Sequence, residues 1–259
     1  MLIRGGIWLY IAILVVAALG MLEFHKAVIG RDGTSWWYLL RGLALYAYFS
    51  VVFGVMDAEM TLVLVIPAVL IMAYCIVWII LHKPFGVVST MPSVFSFFYV
   101  TVLLSFVIVV REAPGGVYLV WLVFISAWGA DTCAYFAGKA FGRYKLCPAL
   151  SPSKTVEGAI GGVLGAAMLA VLFGVAVERW FLEIVVPGTL PGAVSIAAIA
   201  AAAAVLSIFG DLTASAIKRQ VGIKDYGSIF PGHGGVLDRF DSVLFTAPAI
   251  YIMLSMVIG

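Results

Sequence analysis

The chain has 259 residues, of which 64% are hydrophobic and 11% charged, where a soluble domain carries roughly 45–50% and about 25%. With 15 basic and 13 acidic residues, a net charge of +2 and a mean hydropathy of +1.16, it lacks the polar groups to cover a surface in water, so most of that surface must face hydrocarbon. Apolar stretches of about 18 residues or more, with no period of two, also exclude a β-barrel and leave an all-α, polytopic integral membrane helical bundle.

A window of about 19 residues predicts eight transmembrane helices, at 7–23, 36–56, 61–81, 89–110, 115–137, 158–177, 193–215 and 240–258. The first is long enough to be helix one rather than a cleaved signal peptide. Residues 1–259 read as a single membrane domain, with 1–114 as N-terminal scaffold spans and 115–259 as catalytic spans and loops. An even number of spans puts both termini on one side. Eleven Lys and Arg residues then fall in loops on one side and three on the other, and Arg41 lies inside span two, which accounts for all 15. The basic side is cytoplasmic by the positive-inside rule, so segments 138–157 and 216–239 should meet the cytoplasm, where nucleotides are available. Half of the 28 charges sit in two stretches, 131–157 and 211–241. Three cysteines, Cys75, Cys133 and Cys147, show no C-x-x-C spacing and read as small buried hydrophobes.

Carboxylates near hydrocarbon are costly unless they face a partner, a cavity or a cation. Asp131 lies in span five, Asp211 closes span seven, and Asp238 and Asp241 open span eight. Ser207, Asp211, Ser215 and Lys218 share one helical face of span seven, and the stretch from Asp211 to Asp238, 27 positions on, forms a loop that can return between neighbouring helix ends. Oxygen ligands without His or Cys companions suit magnesium, which usually takes one or two carboxylates together with substrate phosphates. A phosphate-bearing substrate follows. The loop agrees, because Gly227, Gly232, Gly234 and Gly235 surround His233 with bare backbone that can approach oxyanions, and Lys218, Arg219, Lys224 and Arg239 add positive charge. Upstream, Ser151–Gly158 reads as the start of a helix, with Ser153 or Thr155 as cap, Glu157 in the first turn and Lys154 placed for a phosphate. The G-x-x-x-G pairs Gly158/Gly162 and Gly161/Gly165 predict close helix packing. His25 and His82 have no companions at ligand spacing, and Glu23 and Arg41 could pair across the first two spans, although a snorkelling Arg41 accounts for the arginine more simply. No Walker A or G-x-G-x-x-G pattern is present.

The stretch from Ser215 to Asp241, with Lys218-Arg219, Lys224-Asp225, Pro231-Gly232-His233-Gly234-Gly235 and Asp238-Arg239-Phe240-Asp241, resembles the signature of the phosphatidate cytidylyltransferases, or CDP-diacylglycerol synthases. Gly210-Asp211-Leu212, Ser151-Pro152 with Lys154-Thr155 and Glu157-Gly158, and Asp131 with Ala134-Tyr135 and Gly142-Arg143 resemble that family in the same order, so the likeness covers 131–242. Ser153 stands where many members have Lys or Gly.

The resemblance implies transfer of CMP from CTP to phosphatidate in phospholipid biosynthesis, giving CDP-diacylglycerol and pyrophosphate. It implies Asp211 and Asp238 as magnesium ligands, with room for a second, monovalent cation. Asp211, Asp238, Asp241, Lys224 and Arg239 would be catalytic. Asp131, Ser151, Lys154, Thr155, Ser215, Lys218, Arg219, Asp225, His233, Gly234 and Gly235 would bind substrate. Partners would be CTP, phosphatidate and membrane lipids, without nucleic acid, and a homodimer is allowed. The setting would be a bacterial inner membrane with the site facing the cytoplasm. A CTP-dependent lipid kinase is the nearest rival. The D-G-x-x-A-R pattern of CDP-alcohol phosphatidyltransferases is absent, and a secondary transporter predicts polar sites in two related halves, whereas here they crowd one half.

Overall fold

A computed structural model describes residues 6–30, 92, 95–181, 192–232 and 234–258. Among the described residues the chain is helical apart from one small hairpin, as suits an all-α membrane protein. Helix α1 (Ile7–Ile29) buries Leu9, Ile13, Ala17, Met21 and Phe24 on one face and exposes Trp8, Ile11 and Val15 on another, the 3.6-residue periodicity of a helix with one side against protein and one against lipid. A π-type segment, Phe97–Val102, runs into α2 (Leu103–Glu112). After a tight turn come α3 (Gly116–Phe124), a second π-type segment (Ile125–Gly129) and α4 (Ala130–Phe141), which form one continuous rod. Strands β1 (Lys145–Cys147) and β2 (Ser151–Thr155) pair antiparallel, with Lys145 opposite Thr155 and Cys147 opposite Ser151. Helices α5 (Val156–Phe181), α6 (Ala193–Gln220) and α7 (Leu237–Ile258) complete the described part.

Four stretches of the described residues are long and apolar enough to cross a membrane: Trp8–Val28, Gly116–Phe141, Val156–Val177 and Ala193–Gln220. They coincide with the spans predicted at 7–23, 115–137, 158–177 and 193–215, each helix running several residues further at one or both ends. The spans predicted at 36–56 and 61–81 lie outside the described residues, as do Arg41, Cys75 and His82. The predicted span at 240–258 is α7, which begins at Leu237, so Asp238, Arg239 and Asp241 are all helical.

Helix α7 is the central element, in contact with α1, α2, α3 and α6, and its Val243, Leu244, Ala247 and Ile250 are buried. Helices α4 and α5 form a tight pair beside α6. Their seam is made of small residues: a β-carbon on Gly161 would lie 2.2 Å from that of Ala137, and one on Gly165 would lie 2.5 Å from the Cys133 sulfur. The G-x-x-x-G pairs therefore pack helices, as predicted, because inside a bilayer association depends on dispersion contacts that small residues let the backbones reach. On the other side of α5, Ile160, Leu164, Met168, Leu172 and Val175 are exposed at helical spacing and suit lipid. Cys133 and Cys147 are free thiols, half-buried rather than enclosed.

The helix expected to start within Ser151–Gly158 begins only at Val156, and the residues before it are strand β2. Pairing with β1 holds them extended, which suits the fixed φ of Pro152 at an edge. Of the two proposed caps it is Thr155, with its Oγ1 accepting the Gly158 N–H at 3.1 Å, that closes the helix start. Glu157 lies in the first turn as expected and accepts the Tyr144 N–H at 3.2 Å, tying the hairpin to α5.

Replacing Gly161 by Leu should overpack the α4–α5 seam and destabilise the protein by about 1 to 3 kcal/mol, read as a lower thermal unfolding temperature in detergent; an unchanged temperature would mean the seam is not close-packed.

Candidate functional site

Helix α6 reaches the site with the polar face that its sequence predicts. Ser207, Ser215 and Lys218 are buried and Asp211 is half-buried. Gly210 makes the crossing possible, since a β-carbon there would lie 2.7 Å from the Asp241 carbonyl oxygen of α7. The helix stops at Gly222, whose φ of 73° is left-handed, with Ile223 N–H donating back to the Lys218 carbonyl at 2.9 Å. This is a Schellman ending, and it releases the chain into the glycine-rich loop directly beyond Lys218 and Arg219.

Asp238 organises that loop. Its Oδ1 accepts Lys218 Nζ at 2.8 Å, and its Oδ2 accepts the Tyr226 N–H at 2.8 Å and the Gly235 N–H at 2.9 Å. The Asp238 side chain is only 4% exposed, so these three donors replace the water it has lost. Gly234 takes a φ of 80° against it, and a β-carbon there would come within 2.9 Å of Oδ2. The Tyr226 ring lies under Lys218 Nζ at 5.4 Å and against Phe24 at 6.1 Å, while its hydroxyl donates to the Ala214 carbonyl at 3.2 Å. Burial, and then the nearby Tyr99, Asp238 and Asp241, push that phenol far above its ordinary pKa, so it stays a neutral donor.

Beside this closed cluster is an open cavity of about 660 Å³ between α4, the hairpin, α5 and α6. Asp131, Tyr135, Lys139, Ser153, Lys154, Thr155, Asp211 and Arg239 supply its polar lining, and Ala130, Ala134, Val163 and Ile208 belong to its apolar wall. Lys154 pairs with Asp211. Asp131 is exposed to this cavity although protein surrounds it, and the Ser242 hydroxyl is within hydrogen-bonding reach of it. Asp131, Asp211 and the buried Asp241 act on one another electrostatically, and Lys218 acts on Asp241 as well as Asp238. Asp241 Oδ1 accepts the Ser242 N–H at 2.7 Å. The π-type segment before α4 sets the register of this corner, with Trp128 Nε1 donating to the Arg239 carbonyl at 3.0 Å.

Five residues expected to be catalytic or substrate-binding, Asp131, Lys154, Thr155, Asp211 and Arg239, thus share one cavity, and Asp238, Asp241 and Lys218 adjoin it. Others are not part of its lining. Arg219 donates to the Leu150 and Ile223 carbonyls at 3.4 Å, bracing the hairpin against the end of α6. Lys224 and Asp225 are exposed on the loop, Ser215 is buried in α6, and the Ser151 hydroxyl is 3.5 Å from that of Ser153. Gly235 packs with Gly234 against Asp238. His233 lies outside the described residues.

The sequence reading gives Glu23 no place at the site. The structure buries it and gives its carboxylate to the Val236 and Leu237 N–H groups, at 3.0 and 2.8 Å, at the start of α7. The signal is in the sequence, because an acidic residue inside an apolar span marks a site by default; the pairing with Arg41 considered for it falls on a residue outside the described ones.

The carboxylates here offer oxygen ligands, which suit a hard cation. Among the described residues no three His, Cys, Asp or Glu side chains converge closely enough to hold an ion alone. Two carboxylates completed by phosphate oxygens remain a fitting set for magnesium, and Asp238 keeps a lone pair on Oδ1 beyond its bond to Lys218.

Substituting Lys218 by Met should strand the buried Asp238 carboxylate and destabilise the protein by about 3 kcal/mol. Adding Asp238→Asn should then lower the unfolding temperature by less than that change does alone; additive losses would mean the two groups are not coupled.

The family model described as "Cytidylyltransferase family" matches residues 1–257. The chain is 34% identical over 252 residues to the phosphatidate cytidylyltransferase of Thermotoga maritima, covering 96% of this chain and 87% of that one. It is 40% identical over 141 residues to that of Bacillus subtilis, 54% of this chain and 49% of the relative, and 43% identical over 135 residues to that of Haemophilus influenzae, 51% and 44%. The likeness read from residues 131–242 thus extends along the chain, which belongs to the cytidylyltransferase family.

Proposed function

We propose that this chain transfers the cytidylyl group of CTP to phosphatidate, forming CDP-diacylglycerol and pyrophosphate, at a site that faces the cytoplasm from a bacterial inner membrane. The observation that carries the reading is the cavity in which Asp131 and Asp211 meet Lys139, Lys154 and Arg239 beside an apolar wall, within a chain matched by the family along 1–257. One face of the cavity suits a polyphosphate and the other an acyl chain.

Both reactants are polyanions. An oxygen of the phosphatidate phosphate forms a bond to the α-phosphorus of CTP, and the bond from that phosphorus to the β-phosphate oxygen breaks, so pyrophosphate leaves with the bonding electrons. Phosphate monoesters are largely dianionic near neutral pH, so no side chain is needed as a base. The work of the protein is to hold charge and alignment. Lys154, stationed on Asp211, and Arg239, on the cavity wall, are placed to take phosphate oxygens of the nucleotide or the lipid. Lys218 holds Asp238 in place. Magnesium held by Asp211 and Asp238 would supply the charge that neutralises the triphosphate. The lipid's tails enter sideways between helices, since its headgroup alone has to reach the cavity.

The test is purified protein in detergent with phosphatidate, magnesium and CTP labelled at the α-phosphate. Label should enter the lipid fraction as pyrophosphate appears; CDP with unlabelled phospholipid would instead identify a lipid kinase. Chelation by EDTA should abolish the transfer and added magnesium restore it. Asp211→Asn should leave a folded, membrane-inserted protein with a rate lowered by about a hundredfold or more, and wild-type turnover in delipidated Asp211→Asn protein would remove that residue from the site.

A further inference from the structure

Helix α1 lies far from the signature in sequence, among spans with almost no charge, yet Glu23 is one of its buried residues, 5% exposed. Each of its oxygens accepts one backbone N–H, Oε1 that of Val236 and Oε2 that of Leu237. Those two groups belong to the unsatisfied N–H set that opens every helix, and a carboxylate there also meets the positive end of the helix dipole. The helix so capped is α7, which carries Asp238, Arg239 and Asp241 in its first turns.

The loop leaves room for this carboxylate. A β-carbon on Gly227 would lie 2.3 Å from Glu23 Oε1, and one on Gly235 would lie 2.4 Å from both oxygens. Two of the glycines whose bare backbone suggested an oxyanion therefore meet one, and it is the protein's own. On the neighbouring side Asp238 accepts from Tyr226 and Gly235, and Phe24, next to Glu23, stacks on the Tyr226 ring. The loop is held at both ends, by Asp238 from within and by Glu23 from α1.

We infer that Glu23 is a positioning residue for the transfer: by capping α7 across the bundle it fixes the loop 226–236 and the start of α7, and so the placement of Asp238, Arg239 and Asp241 beside the cavity. This rests on the reading of the site given above.

The test compares the purified full chain with Glu23→Gln and Glu23→Asp, measuring kcat, KM for phosphatidate and the rate of tryptic cleavage after Lys224 relative to Arg143. Gln presents an amide N–H to a backbone N–H. Glu23→Gln should therefore lower kcat and raise the cleavage ratio by about tenfold each, with KM for phosphatidate changed by no more than about twofold. Glu23→Asp, which keeps the charge, should recover part of the lost rate. A wild-type kcat or an unchanged cleavage ratio in Glu23→Gln overturns the inference, as does a Glu23→Asp rate no better than that of Glu23→Gln. Should the wild-type chain transfer nothing, the cytidylyl-transfer reading fails by itself and the cleavage ratio alone decides whether Glu23 places the loop.

Discussion

An ionised carboxylate enclosed by helices has lost its water, and the donors that replace that water dictate where neighbouring chain segments can go. Asp238 is the clearest case, bound by an ammonium from α6 and two backbone N–H groups of its own loop. These bonds join the end of α6, the loop and the start of α7 into one unit. The Schellman turn at Gly222 and the left-handed Gly234 are the local conditions that let the chain make the return. Without the carboxylate, Lys218 would be a buried cation and two backbone donors would face no acceptor.

The same demand shapes the rest of the site by a different route. Glu23 satisfies the α7 backbone from another helix, and Lys154 meets Asp211 from the hairpin. Charges thus connect elements that apolar packing alone would leave free to slide, since dispersion contacts between membrane helices have little directional preference. The α4–α5 seam shows the complementary device, with glycines and alanines setting distance where no charge is available. Between the two lies the cavity, with a fixed acidic and basic lining on one side and an apolar wall on the other. A site for a charged nucleotide and a lipid needs both, because one substrate arrives from water and the other from hydrocarbon.

Much of this was legible in the residues. Uninterrupted apolar runs identified the four long apolar helices of the described residues, and carboxylates out of place among such runs marked Asp131, Asp211, Asp238 and Asp241. The spacing of Ser207, Asp211, Ser215 and Lys218 gave the inward face of α6, and the G-x-x-x-G pairs gave the seam with α4. The hairpin was not legible, because a strand of five residues beginning Ser-Pro-Ser has no apolar alternation to betray it, and its partner strand has only three residues. The contacts of Arg219 and Glu23 were not legible for a related reason: each serves backbone groups, and a backbone group carries no mark in a sequence.

By itself the sequence determined the solvent, the long apolar helices of the described residues, the family signature and the stretches where charge is concentrated, since all of these follow from composition and short-range spacing. Tertiary structure alone decided how the charges are partnered: Lys154 with Asp211, Lys218 with Asp238, and Glu23 with α7, more than two hundred residues away. Periodicity fixes which face of a helix a side chain occupies, but which group it meets depends on how separate helices cross, and that is set by packing over the whole bundle.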